Sequence, residues 1–249
     1  MASLELPEDF AWRTIEMRGE AGRDWLARVP RLRDEAARRW SLTLGPAPSG
    51  LSYGYVCGAV DAYGVQVALK ICFPDRELLT EVEALRVFDG HGVVRLLDAD
   101  LDQGALLLER LEPGTPLSHV ADDEEAISIA VKVMQQLWRP APAGGDFPSD
   151  ADWAAGLCRL RARFDGGTGP LPRTLVEEAE RLFNELLADQ GEQVLLHGDL
   201  HQDNILAAER AHAAPRERRL PSGSVAVAAA SLFVHVVRTL PRPPRICRP

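Results

Sequence analysis

The chain has 249 residues, 46% hydrophobic and 26% charged, with a net charge of −9. That length holds one large domain or a joined pair of lobes, and the apolar fraction suffices for a core, which excludes global disorder. The acidic balance argues against nucleic acid, whose binding rests on neutralising phosphates, and suits a small cationic partner. The charge is unevenly spread: residues 210–249 carry eight arginines and a single acid, Glu217.

The start, MASLELPEDF, is acidic and lacks an apolar run, so no signal peptide is expected. The longest apolar stretch, Val225 to Val237, is shorter than the roughly 20 residues that span a bilayer. The four cysteines form no Cys-x-x-Cys pair. The expectation is a reduced cytoplasmic protein with no membrane span and no structural zinc.

In chain order, the first forty residues space Trp25, Leu26, Val29, Leu32, Ala36 and Trp40 as a helix does, with a break expected at Pro30. LGPAPSG punctuates the chain. SYGYVCGAV and VQVALKICF, separated by DAYG, read as a β-hairpin. DRELLTEVEALRVF places Leu78, Val82, Leu85 and Phe88 on one face of an amphipathic helix. Two short strands follow, VVRLLDA and ALLLERL, the second closed by EPGTP.

The texture then turns helical. DDEEAISIAVKVMQQLW opens with acids, which favour a helix N-terminus, and carries an apolar stripe through Ala126, Ala130, Val133 and Leu137. Residues 151–164 form a further helix. TLVEEAERLFNELLA forms another, with Thr174 and Glu177 spaced as a capping box and Leu175, Ala179, Leu182 and Leu186 as its stripe.

The densest chemistry lies in VLLHGDLHQDNIL, residues 194–206, which reads as strand, tight loop and strand. Asp199 is followed five positions later by Asn204. That is the spacing of a phosphoryl-transfer loop, in which a carboxylate faces the acceptor hydroxyl and an amide oxygen turns back to magnesium. A zinc site formed by His197, Asp199 and His201, or a plain polar turn, are the other readings of the same residues.

His197-Gly198-Asp199-Leu200-His201-x-x-Asn204 after VLL resembles the catalytic loop of the aminoglycoside phosphotransferases, which share the protein-kinase-like fold. VALKICFPDRE, EVEALRVFDGHGVVRLLDAD and GALLLERLEPGTPL look like the streptomycin and hydroxyurea phosphotransferase branch of that family, and the likeness runs from about residue 20 to residue 210. It implies an α+β, two-lobed fold: an N-lobe over residues 1–111, a helical C-lobe over 112–210, and a tail over 211–249. The implied activity is ATP-dependent phosphorylation of a small-molecule hydroxyl with Mg2+; the alternative is a catalytically silent nucleotide-binding pseudokinase or a truncated fragment.

The roles implied are these. Lys70, one of only two lysines, would bind the α and β phosphates. Glu81 would pair with it, with Glu83 as the rival. Backbone groups of Arg110 and Leu111 would meet adenine, and Gly50, Ser52 and Gly54 would form the loop over the phosphates. Asp199 would act as base, His197 would brace the loop, and Asn204 would hold magnesium.

One departure stands out. The family's second metal-binding aspartate should follow shortly after the asparagine, yet only Glu209 and Glu217 occur beyond Asn204. The composition of residues 211–249 is that of a GC-rich gene read in another frame, and a frameshift near Ala211 is the expectation.

Overall fold

The computed structural model describes residues 4–46, 51, 53–188 and 193–208, together with the backbone of His235–Arg238. Its chain divides into two compact units, one built from residues 1–136 and 199–233, the other from 137–198 and 234–249.

The first unit begins with α1 (Glu8–Arg39), which turns sharply at Gly19 (φ 60°, ψ −135°) and passes through Pro30 inside its second arm. The break expected at Pro30 therefore lies eleven residues earlier. A positive φ is inexpensive only for glycine, so Gly19 is where the chain can reverse. The reversal lets Phe10 meet the Trp25 ring edge-on at 6.1 Å. In a straight helix those residues would stand about 22 Å apart. Gly22 completes the fold-back, because a side-chain carbon there would come within 2.6 Å of the Thr14 carbonyl.

A five-stranded antiparallel sheet follows, ordered β1-β2-β3-β5-β4. Its strands are β1 (Thr43–Leu44), β2 (Gly54–Val60), β3 (Gln66–Cys72), β4 (Leu96–Asp100) and β5 (Ala105–Glu109), with α2 (Arg76–Phe88) between β3 and β4. The expected hairpin is β2–β3; the Asp61 carboxylate accepts the Tyr63 and Val65 backbone N–H groups in its turn. Asp75 caps α2 by accepting the Glu77 and Leu78 N–H groups, and the helix buries the apolar face read from its sequence.

The pleat divides labour between the two faces of the sheet. Tyr55, Leu69 and Ile71 pack against Trp25, Val29 and Leu32 of α1. Each fully buried aliphatic or aromatic side chain of this kind contributes about 1.5–3 kcal/mol. The register pairs Val56 with Lys70, Gly58 with Ala68, Lys70 with Leu106 and Ala68 with Leu108, which puts these residues together on the opposite face.

After β5 come β6 (Pro113–Pro116), a 3₁₀ turn at Leu117–His119, and α3 (Asp123–Leu137), whose Ala126, Val133 and Leu137 are buried. Far along the chain, residues 199–208 return to this unit. There β9 (Leu206–Ala208) pairs with β6, and the Leu117 N–H donates to the Ile205 carbonyl at 2.8 Å.

In the second unit, β8 (Gln193–Leu196) is the middle strand of a three-stranded antiparallel sheet between β7 (Arg139–Pro140) and β10 (His235–Arg238). Two helices accompany it: α4 (Asp150–Arg163) and α5 (Arg173–Ala188), clamped by a two-pronged Arg161–Glu180 pair with both contacts at 2.8 Å. The capping box sits on α4, where Ser149 and Asp152 exchange bonds. The one expected at Thr174 is absent, because α5 starts a residue earlier with the Pro172 carbonyl accepting from Leu175 and Val176, and Glu177 pairs with Arg173 instead. On α5, Val176 is buried while Leu175, Leu182 and Leu186 are exposed. Among the described residues no helix is long and apolar enough to cross a membrane.

Candidate active site

The face of the hairpin turned away from α1 opens into a cavity of about 420 Å³, lined by Val56, Gly58, Ala68, Leu108, the segment Glu109–Leu111, and Leu206. β2 presents Gly54, Val56 and Gly58 to this side in alternation, so two of three positions carry no side chain to fill the space. The Arg110 guanidinium lies across Gly58, where an added Cβ would come within 2.1 Å of its Nη1. Arg110 and Leu111 thus both border the cavity. Val56, Ala68 and Leu206 were not singled out from sequence. Ala68, two residues before Lys70 on a strand, and Leu206, two after Asn204, were accessible to the same period-2 argument.

On the same face as Ala68, Lys70 is 4% exposed, and its Nζ lies 2.6 Å from Glu81 Oε1 on α2. The partner is Glu81; Glu83 is only half-buried. Burial, the strongest single influence, works to lower the Lys70 pKa, but Glu81 together with neighbouring Cys72 and Glu77 raises it above its ordinary value, so the ammonium is held charged. Cys72 lies 3.9 Å from Glu81 Oε2, and its thiol is pushed up to about 12, chiefly by burial. Gly54 lies beside this pair: an added Cβ would sit 3.4 Å from Lys70 Cε. Gly50 and Ser52 lie outside the described residues.

The loop from Asp199 to Asn204 belongs to the same unit as this cavity. Asn204 is buried, and its Nδ2 donates to the Asp199 carbonyl at 2.7 Å and to Asp199 Oδ2 at 3.2 Å. Both bonds use the amide nitrogen, which leaves the amide oxygen as the atom for another partner. The Asp199 side chain is 36% exposed. His201 caps the 3₁₀ turn Gln202–Asn204: its Nδ1 accepts the Asp203 N–H at 3.3 Å. That bond puts the ring proton on Nε2, which lies 3.8 Å from Asp199 Oδ2. The Ser118 hydroxyl donates to Asp203 and ties the turn after β6 to the loop. His197, directly after β8, is 3% exposed.

Among the described residues no group of three or more His, Cys, Asp or Glu side chains is placed to hold a metal ion, so the zinc reading finds no support there. The donors present are hard oxygens, the Asn204 amide and the Asp199 carboxylate. That set fits a magnesium ion held chiefly by nucleotide phosphates and water. Glu209 and Glu217 lie outside the described residues.

A family model described as aminoglycoside/hydroxyurea antibiotic resistance kinase matches residues 56–248. The chain belongs to this family. Within it, the chain is 34% identical over 208 residues to a streptomycin 6-kinase from Streptomyces glaucescens, covering 83% of this chain and 67% of that protein. It is 36% identical over 216 residues to a hydroxyurea phosphotransferase from Kitasatospora aureofaciens, covering 84% of this chain and 62% of the relative. Among solved structures, a macrolide 2'-phosphotransferase from Brachybacterium faecium superposes with a TM-score of 0.56 at 17% identity, covering 82% of this chain and 72% of that one. The family's fold is kinase-like α+β, as the resemblance implied, and its members are small-molecule phosphotransferases. The match includes residues 211–248, the stretch whose composition suggested a change of frame.

Proposed function

We propose that this chain transfers the γ-phosphoryl group of ATP to a hydroxyl of a small molecule, streptomycin or hydroxyurea being the acceptors for which its relatives are named. The observation that carries the reading is the buried Lys70–Glu81 pair on the cavity face of the hairpin. Burying a lysine is costly, and paired buried charges bordering a cavity concentrate at functional sites.

Adenine would occupy the apolar cavity, with Ala68 and Val56 on one side, Leu206 on the other, and the backbone of Glu109–Leu111 along its polar edge. Lys70, steadied by Glu81, would bind the α and β phosphates. Asp199 would orient the acceptor hydroxyl and take its proton as the new oxygen–phosphorus bond forms and the bond to ADP breaks. The Asn204 bonds fix the Asp199 backbone and carboxylate for that task. Magnesium, when bound through the Asn204 amide oxygen, would neutralise charge on the phosphates. With no aspartate after Asn204, turnover should be slow even when nucleotide binds.

The test is a titration with a fluorescent ATP analogue beside a phosphoryl-transfer assay with streptomycin, other aminoglycosides and hydroxyurea as acceptors. Binding with transfer to one of them supports the reading. Absence of nucleotide binding overturns it. Binding without transfer to any acceptor identifies a silent nucleotide-binding protein.

A further inference from the structure

The Lys70–Glu81 pair depends on where α2 is held, and the N-terminal end of that helix is gripped from outside the sheet. Arg18, at the end of the first arm of α1, reaches across 57 residues of sequence to the Asp75 carboxylate and places its Nη2 3.2 Å from Glu77 Oε2. Its guanidinium also lies over the Phe73 ring, 4.2 Å from the centroid. Phe73 in turn meets Trp25 edge-on at 5.8 Å. The Arg18 side chain is only 21% exposed, so these contacts are partly shielded from water.

We propose that Arg18 is a positioning residue for nucleotide binding: by clamping Asp75 and Glu77 it fixes the first turn of α2, so that Glu81, one turn on, meets Lys70. The inference rests on the kinase reading of the Lys70–Glu81 pair. Two further observations support it. Three carboxylates stand within the first two turns of the helix: Asp75 and Glu77 meet Arg18, and Glu81 meets Lys70. The Glu77 carboxyl is pushed up by burial and by neighbouring Asp75, with Arg18 acting against both. Arg18 therefore gives Asp75 and Glu77 a cation of their own at the helix start, apart from the Lys70–Glu81 pair. Its station also depends on the reversal at Gly19, the next residue, which turns the second arm of α1 back over the sheet. A guanidinium fork suits this task because it can address two carboxylates while stacking on a ring, which an ammonium does less well.

The experiment compares the parent with Arg18→Met, which keeps a flexible apolar stem over Phe73 without the charge, and with Arg18→Lys. Hydrogen exchange without nucleotide reports on α2 directly. A fluorescent ATP analogue reports on the site. Arg18→Met should speed exchange in residues 76–81 while the β2–β3 hairpin stays protected, and should weaken nucleotide affinity about three- to fivefold, the scale of a partly exposed ion pair. Arg18→Lys should recover part of that affinity. In a Glu81→Gln background, Arg18→Met should add little, because the path through Glu81 is already lost. Unchanged exchange in α2 overturns the clamp whatever the nucleotide does. Faster exchange with parental affinity leaves Arg18 as a structural anchor only and overturns its positioning role. A parent chain that binds no nucleotide, with α2 still responding to Arg18→Met, fails the kinase reading and takes this inference down with it, and the exchange data separate the two failures.

Discussion

Replacing Lys70 by Met tests the centre of the site, because stability and function should separate. The Lys70 and Glu81 side chains are 5% and 9% exposed, with Nζ 2.6 Å from the carboxylate. Removing the ammonium leaves Glu81 buried without the cation that faces it, and breaking a buried pair in this way costs about 3–5 kcal/mol. For a chain of this size, at about 2–4 °C per kcal/mol, the melting temperature should fall by roughly 6–20 °C. The double variant Lys70→Met/Glu81→Leu removes both charges and fills the space with apolar atoms. Its stability should return to within about 1 kcal/mol of the parent, since apolar replacements of buried ion pairs are often neutral or better. Nucleotide affinity should not return with it. Losing the charged contact to the phosphates should weaken binding about 10- to 100-fold in both variants. Urea unfolding and titration with a fluorescent ATP analogue read the two quantities on the same samples. A Lys70→Met protein as stable as the parent, or a double variant with parental affinity, refutes the reasoning.

Other outcomes are equally specific. Asp199→Asn should cut phosphoryl transfer by orders of magnitude while nucleotide affinity stays close to parental, and a rate within a few-fold of the parent would remove Asp199 as the base. Alkylation at pH 8 should modify the exposed Cys158 well before the buried Cys57 and Cys72, whose thiols burial pushes up, that of Cys72 to about 12; rapid labelling of Cys72 in the folded protein contradicts the buried geometry. The coding DNA, read one or two bases out of register after the codon for Ala211, should encode an Ile-Asp-Pro-like segment and amphipathic helices. If neither frame does so, the composition of the tail has another origin.

Features whose chemistry is local were legible in the sequence. The loop His197–Asn204 compresses its residue types into eight consecutive positions, and the contact between Asn204 and Asp199 is what that spacing brings about. The hairpin was readable because alternation and a polar turn occur together, and α2 because its apolar face and its Asp75 cap agree. Features settled by distant packing were not legible. A proline inside a helical pattern announces its cost, whereas the turn at Gly19 is chosen by what Phe10, Gly22 and Trp25 gain when the arms fold back. Glu81 and Glu83 are two residues apart on one helix, and only the placement of α2 on the sheet tells them apart. Arg18 gave no signal at all, since an arginine in an exposed-looking helical stretch carries nothing to show that it ends beside Asp75. His201 had no assignable part until its ring was seen capping the turn before Asn204.

The pairing of β6 with β9 has a temporal consequence. Ser118 and Asp203, which bond across this junction, are 85 residues apart in sequence. The sheet, α1 and α2 come entirely from the first 109 residues, so they can associate early, while the chain is still being synthesised from its N-terminus. Leu206, one wall of the cavity, cannot arrive until nearly a hundred residues more have been added and a long loop has closed. During that interval the nascent protein carries the buried lysine and its carboxylate partner in an open, apolar trough. Ribosome-bound chains ending before and after Leu206 would separate these two stages, and only the longer should close the trough and retain nucleotide.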